Sequence, residues 1–129
     1  MKNTKGFTLI ELLVVISIIG VLALMGLRVY GDQQEKAKNA IVKANAGTVQ
    51  TLIQAELADE DINLARAVEI AIAARLHNPF NNAIMGGAGD FPKSTNTPGK
   101  IQINLSDGVF SIQGYGADGL LPDILTARK

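Results

Sequence analysis

GFTLIELLVVISIIGVLALMGL, residues 6–27, is the stretch on which the fold turns. From Phe7 to Leu27 a single residue, Glu11, is ionisable; the others are apolar or small. At ~1.5 Å rise per residue such a run forms a helix about 30 Å long, enough to cross the hydrocarbon core of a bilayer. Lys2 and Lys5 flank its start, with no acid before Glu11. Basic residues on one flank hold that end in the cytoplasm. The run therefore predicts one membrane span with the amino terminus inside.

Glu11 is the anomaly. A carboxylate inside a spanning helix costs about 2.5–3.5 kcal/mol on insertion scales. Either it lies near the interface, or it has a partner elsewhere. A cut after Gly6 would create a positive α-amino group at Phe7, one turn from Glu11, on the same or a neighbouring copy. A buried charge without its mate is strongly unfavourable, so such a pair would select the register between copies as well as stabilise them.

KGFTLIELLVVISIIGVLA, residues 5–23, resembles the prepilin signal of type IV pilins and of the pseudopilins of related secretion systems. The shared features are a short basic leader, Gly immediately before Phe, then Thr-Leu-Ile-Glu and an unbroken apolar run. The resemblance implies cleavage between Gly6 and Phe7 by a prepilin peptidase/methyltransferase, and N-methylation of Phe7. It also implies extraction of the mature helix from the membrane, through an inner-membrane assembly platform, into a homopolymeric filament. The expected fold class is α+β: a long N-terminal helix packed against a small antiparallel β-sheet head. A secretory signal peptide would instead lose its apolar region at a small-residue site, and Val21-Leu22-Ala23-Leu24-Met25-Gly26 imitates such a site poorly. Two features depart from the family. Many type IV pilins carry a Pro where the helix leaves the membrane; this chain has Gly20, Gly26 and Arg28. Any loss of helical order in a filament is therefore expected at Gly20–Gly31. The cysteine pair that closes the carboxy-terminal loop of many pilins is missing.

Composition excludes several classes. With no cysteine there is neither a disulfide framework nor a thiolate metal site. The lone histidine, His77, rules out multi-His metal sites and has no catalytic context. Twelve basic and twelve acidic residues balance. The leader holds two of the basic ones and no acid, which leaves the mature chain slightly acidic. No basic stripe marks a nucleic-acid interface. No nucleophile with a His/Asp context is present, so the chain reads as a non-enzyme with no catalytic residues and no cofactor.

Three segments follow: a cleaved leader, 1–6; a helix, 7–58, with a membrane or filament-core part (7–27) and an amphipathic half (28–58); and a head, 59–129. A continuous helix over 7–58 would be roughly 75 Å long, far beyond what a compact domain of this size can house. In the second half Ala37, Ile41, Ala44, Thr48, Leu52 and Ala55 recur at three- and four-residue spacing and predict the face that packs on the sheet. Ala58-Asp59-Glu60-Asp61 reads as a solvated helix end. A second helix is expected over 64–76, capped by Asp61 or Asn63, with a Leu64/Val68/Ile72/Leu76 stripe. Its stop is assigned to His77-Asn78-Pro79.

Residues 78–99 read as loop, with Phe80, Ile84 and Phe91 as anchors. Residues 100–113 predict a hairpin turning at Asp107-Gly108, with Leu105 facing Phe110 and Ile103 facing Ile112. Residues 114–119 form a Gly-rich turn, and a short third strand is expected over 120–125. Calcium is a minor candidate there, through Asp118 and Asp123 with Asp107 or Asp90, although no EF-hand spacing is present. Asn104-Leu105-Ser106 matches a glycosylation sequon by chance.

The expected function is a pilin: a structural subunit of a type IV pilus, single-pass in the membrane before assembly and then a surface filament. The alternatives are a pseudopilin of a type II secretion or DNA-uptake system, and a membrane-anchored binding module displayed through prepilin processing.

Overall fold

The computed structural model describes residues 6–129; the leader residues 1–5, with Lys2 and Lys5, lie outside the described residues. The chain divides into two compact units, Met1–Gln34 and Glu35–Lys129. Helix α1, Leu9–Asp59, belongs to both.

In the first unit α1 has nothing to pack against. Seventeen large apolar side chains from Phe7 to Tyr30 are exposed, Leu9 at 73% and Leu24 at 70% among them. Burying one such side chain is worth about 1.5–3 kcal/mol, so together they demand a lipid or protein covering. Among the described residues α1 is the one helix long and apolar enough to cross a membrane. The Ser17 hydroxyl donates to the Leu13 carbonyl at 2.7 Å, which satisfies the one hydroxyl in mid-run. The helix passes unbroken through Gly20, Gly26 and Gly31. A Gly costs only about 1 kcal/mol relative to Ala, too little to interrupt a helix this long.

In the second unit α1 buries Val42, Ala46, Val49, Ile53 and Leu57. This corrects the expected contact face: Ala37, Ile41, Ala44, Thr48, Leu52 and Ala55 are all exposed, on another side of the helix. Both sets have helical spacing. The buried set carries four branched aliphatic side chains, and burial energy scales with apolar area, at roughly 25 cal/mol per Å². The expected set has only two, Ile41 and Leu52, so it has less to bury and is left outside.

Helix α2, Leu64–Ala73, starts at Asn63, whose side chain accepts from the Arg66 amide at 2.8 Å. It ends earlier than the expected Leu76, well before Pro79. Arg75 takes a left-handed φ of 50°, its amide donating to the Ile72 carbonyl. The Leu76 carbonyl instead accepts from the Met85 amide at 2.7 Å. Ala67 and Ala71 are wholly buried, with Leu64, Val68, Ile72 and Leu76 packed around the core. Arg66 donates to Glu56 at 2.7 Å and to Glu69 at 3.4 Å. The hydrogen bond to Glu56, then that to Glu69, raises its pKa above the ordinary arginine value.

Three antiparallel strands, β1 (Ile101–Ser106), β2 (Val109–Gly114) and β3 (Leu125–Ala127), form a sheet in that order. Leu105 pairs with Phe110 and Ile103 with Ile112, the expected register. Asp107 and Gly108 take φ of 50° and 75°, the left-handed pair that a primed hairpin turn requires. The Gln102 side-chain amide donates to Gln113 Oε1 at 3.0 Å on the outer face. Ile101, Ile103, Phe110 and Ile112 point into the core. The third strand falls later than the expected 120–125. Pro122 cannot donate to a ladder; Leu120 makes only an isolated bridge with Tyr115, and regular pairing begins at Leu125. The free edge of β3 is closed by α1. The Gln54 side chain both accepts from the Arg128 amide at 3.1 Å and donates to the Arg128 carbonyl at 2.7 Å, while Gln50 donates to the Thr126 carbonyl at 2.9 Å.

In the loop, Phe91 is buried as expected and Phe80 is half-buried beneath the Lys38 ammonium, 5.6 Å from its ring centre. Ile84 is 46% exposed, and its neighbour Met85 takes the inward position. The antiparallel bridge His77–Ile84 sets that alternation.

Candidate functional site

The site lies at the start of α1. Thr8 and Glu11 bond to each other's backbone. The Glu11 amide donates to Thr8 Oγ1 at 3.2 Å, and the Thr8 amide donates to Glu11 Oε2 at 3.1 Å. The Leu12 amide donates to the Thr8 carbonyl at 3.1 Å, closing the first turn. This is a capping box. It satisfies two of the amides that a helix start leaves without partners. It also places the carboxylate at the positive end of the helix dipole. Glu11 is exposed and, among the described residues, no cationic side chain pairs with it.

Phe7, 88% exposed, precedes the cap and is not buried by any of the described residues. A Cβ built on Gly6 would meet no atom within 4 Å. Among the described residues, packing does not call for glycine at that position. A requirement for it would come from a molecule that reads the segment from outside.

Thr8 was not singled out from the sequence. The signal was there: Thr8-Leu9-Ile10-Glu11 is a Ser/Thr-x-x-Glu pattern just before an apolar run.

The remaining candidates are scattered. Asp123 pairs with Lys43 at 2.5 Å, and Asp107 sits in the hairpin turn. The Asp90 carboxylate accepts from the Gly87 amide at 3.2 Å. Among the described residues no three His, Cys, Asp or Glu side chains gather where a metal ion could sit, and Asp118 joins none of the others. The His77 carbonyl accepts from the Asn45 side chain at 2.9 Å, tying the end of the α2 segment to α1.

The family model described as "Prokaryotic N-terminal methylation motif" matches residues 1–27. The chain thus carries a prepilin-type amino terminus. It is similar to the fimbrial protein EcpB of Eikenella corrodens, 45% identical over 58 residues that cover 45% of this chain and 36% of that protein. It is similar also to the type IV major pilin protein PilA of Myxococcus xanthus strain DK1622, 31% identical over 88 residues, 68% of this chain and 40% of that one. To the type IV major alpha-pilin of Moraxella bovis it is 42% identical over 57 residues, 44% of this chain and 36% of that one. The chain spans well under half the length of these three relatives. No solved structure matches it. By motif, relatives and α+β fold, the chain is a type IV pilin-like protein.

Proposed function

We propose that this chain is a structural subunit of a type IV pilus, not an enzyme. The observation that carries the proposal is the first unit: an exposed apolar helix that begins at Glu11's capping box, inside a segment matching the N-terminal methylation motif. A prepilin peptidase/methyltransferase cuts between Gly6 and Phe7 and methylates the new amine. Before assembly the chain is held in the membrane by 7–27. An assembly platform then moves it into a surface filament, where the apolar helices of neighbouring copies replace lipid. The Phe7 amine of one copy meets Glu11, on the same or an adjacent copy. The capping box supports this pairing: it fixes the carboxylate one turn above the cut and leaves Oε1 open to a cation.

The printed descriptions of the relatives, pilins and fimbrial proteins, favour the pilus over the pseudopilus. The test is mass spectrometry of the mature amino terminus, with electron microscopy of sheared surface material. The expected result is filaments built from chains that begin at N-methylated Phe7. Chains that keep Met1 and never polymerise would overturn the proposal.

A further inference from the structure

Thr8 holds α1 back from the proposed cut. In an uninterrupted α-helix each amide donates to the carbonyl four residues before it. A helix that ran on toward the amino terminus would therefore send the Glu11 amide to the Phe7 carbonyl and the Ile10 amide to the Gly6 carbonyl. The Glu11 amide is instead taken by Thr8 Oγ1 at 3.2 Å. The Thr8 amide, which a helix begun at Thr4 would spend on the Thr4 carbonyl, is held by Glu11 Oε2 at 3.1 Å. The Leu12 amide makes the regular bond, to the Thr8 carbonyl at 3.1 Å. Helix α1 accordingly starts at Leu9, and Gly6, Phe7 and Thr8 lie outside it and exposed.

This start bears on cleavage. Hydrolysis adds water across the Gly6–Phe7 C–N bond and leaves a carboxylate on Gly6 and an amine on Phe7. A peptidase has to reach the Gly6 carbonyl carbon and grip the chain on both sides of it. Helix over this bond would tie up the Gly6 carbonyl and coil the flanking residues around an axis. The sequence offers such a helix a start: the nearest hydroxyl or carboxamide side chain before Thr8 is Thr4, one turn away. A helix capped by Thr4 would take in Lys5, Gly6 and Phe7, and the bond with them. Thr4 and Thr8 are alternative caps, and the structure uses the one that leaves the bond in open chain.

We infer that Thr8 is a positioning residue for the cut: its hydroxyl caps α1 and so presents the Gly6–Phe7 bond as open chain. The inference rests on the processing step of the proposed function. Glu11 is the lesser half of this device. Glu11→Val frees the Thr8 amide but keeps the backbone amide that Thr8 Oγ1 accepts from, so the cap survives.

The test titrates the detergent-solubilised full-length precursor into membranes that carry the peptidase and reads the product by mass spectrometry. Thr8→Val has the shape of threonine but no acceptor. The typical worth of a cap moves a helix-start equilibrium about fivefold. With only the open form taken up, KM should rise by about that factor while kcat stays unchanged. Thr8→Ser and Thr8→Asn differ in shape but can both cap, and should keep the wild-type KM. In Thr8→Val the backbone carbon chemical shifts of Gly6 and Phe7 should move toward helical values. Adding Thr4→Ala to Thr8→Val should reverse both effects. An unchanged KM in Thr8→Val, or a fall confined to kcat, would overturn the positioning role. So would Thr8→Asn as poor as Thr8→Val, since the peptidase would then be reading the threonine itself. Wild-type precursor left whole, or cut at another bond, overturns the processing reading instead.

Discussion

Gly114→Ala should destabilise the sheet-bearing unit by packing alone, and the amount can be worked from the geometry. Gly114 closes β2 against α1. A Cβ built there would lie 2.5 Å from Val42 Cγ1, 3.4 Å from Leu121 Cδ1 and 3.5 Å from the Val42 carbonyl oxygen. Carbon atoms rest at about 3.5–4.0 Å, so the first contact overlaps by roughly 1 Å or more. Val42 is fully buried, and a β-branched side chain in a helix has one strongly preferred rotamer. It cannot swing away, so strand and helix must separate slightly, at a cost of about 1–3 kcal/mol. Gly114 has no positive φ, so backbone strain adds nothing. Val42→Ala removes the clashing methyl and, through lost burial and a small cavity, costs about 2 kcal/mol by itself. In the combined variant the new Cβ enters the space vacated, and the two costs should fall short of additivity by about 1–3 kcal/mol. Pulse proteolysis of the detergent-solubilised full chain across a urea series reads the unfolding of this unit for all four proteins. Additivity within about 0.5 kcal/mol would refute the proposed close approach of β2 to α1.

Glu11→Gln keeps a side chain that can complete the capping box but removes the charge, whereas Glu11→Val removes both. If the charge is what assembly needs, both should be cleaved normally and both should yield few filaments; normal yield from Glu11→Gln, by shearing and immunoblot, would refute the amine–carboxylate pairing. Gly6→Val fits the chain's own structure, where the position is open, and should leave uncut precursor in the membrane fraction by mass spectrometry. Normal processing would move the cut elsewhere. Gln54→Ala strips two hydrogen bonds from the Arg128 backbone at the edge of β3. By the same urea series it should cost about 1–2 kcal/mol, and no change would show that water replaces the amide without loss.

The sequence was most legible where one physical effect dominated. The apolar run of 7–27 admits only a span or a filament core. The hairpin register follows from a turn whose residues suit left-handed backbone, flanked by strict alternation, and Asp107-Gly108 met both conditions. Legibility failed where two readings were nearly equal in energy. The second half of α1 carries two stripes of helical spacing, and periodicity cannot rank them; summed apolar area does, favouring Val42, Ala46, Val49, Ile53 and Leu57, with four branched aliphatics, over Ala37, Ile41, Ala44, Thr48, Leu52 and Ala55, with two. The α2 terminus was assigned to Pro79 from local propensity, but the backbone leaves the helical region sooner, at Arg75, whose φ is 50°. The side-chain amides of Gln50 and Gln54 on the β3 edge had no sequence signature, because their partners lie more than seventy residues away.

The capping box bears on one question, how a carboxylate can sit at the start of an apolar run. It gives Glu11 a local partner, the Thr8 amide, so the carboxylate is not left wholly bare. Under the proposed filament reading, the further gain on meeting a cation is left for assembly. The exposed stripe of α1 asks less of its surroundings. Ala37, Ala44 and Ala55 each bury few methylene equivalents, and Ile41 and Leu52 are 46% and 37% exposed. Burial alone is non-directional, so this face by itself selects no register.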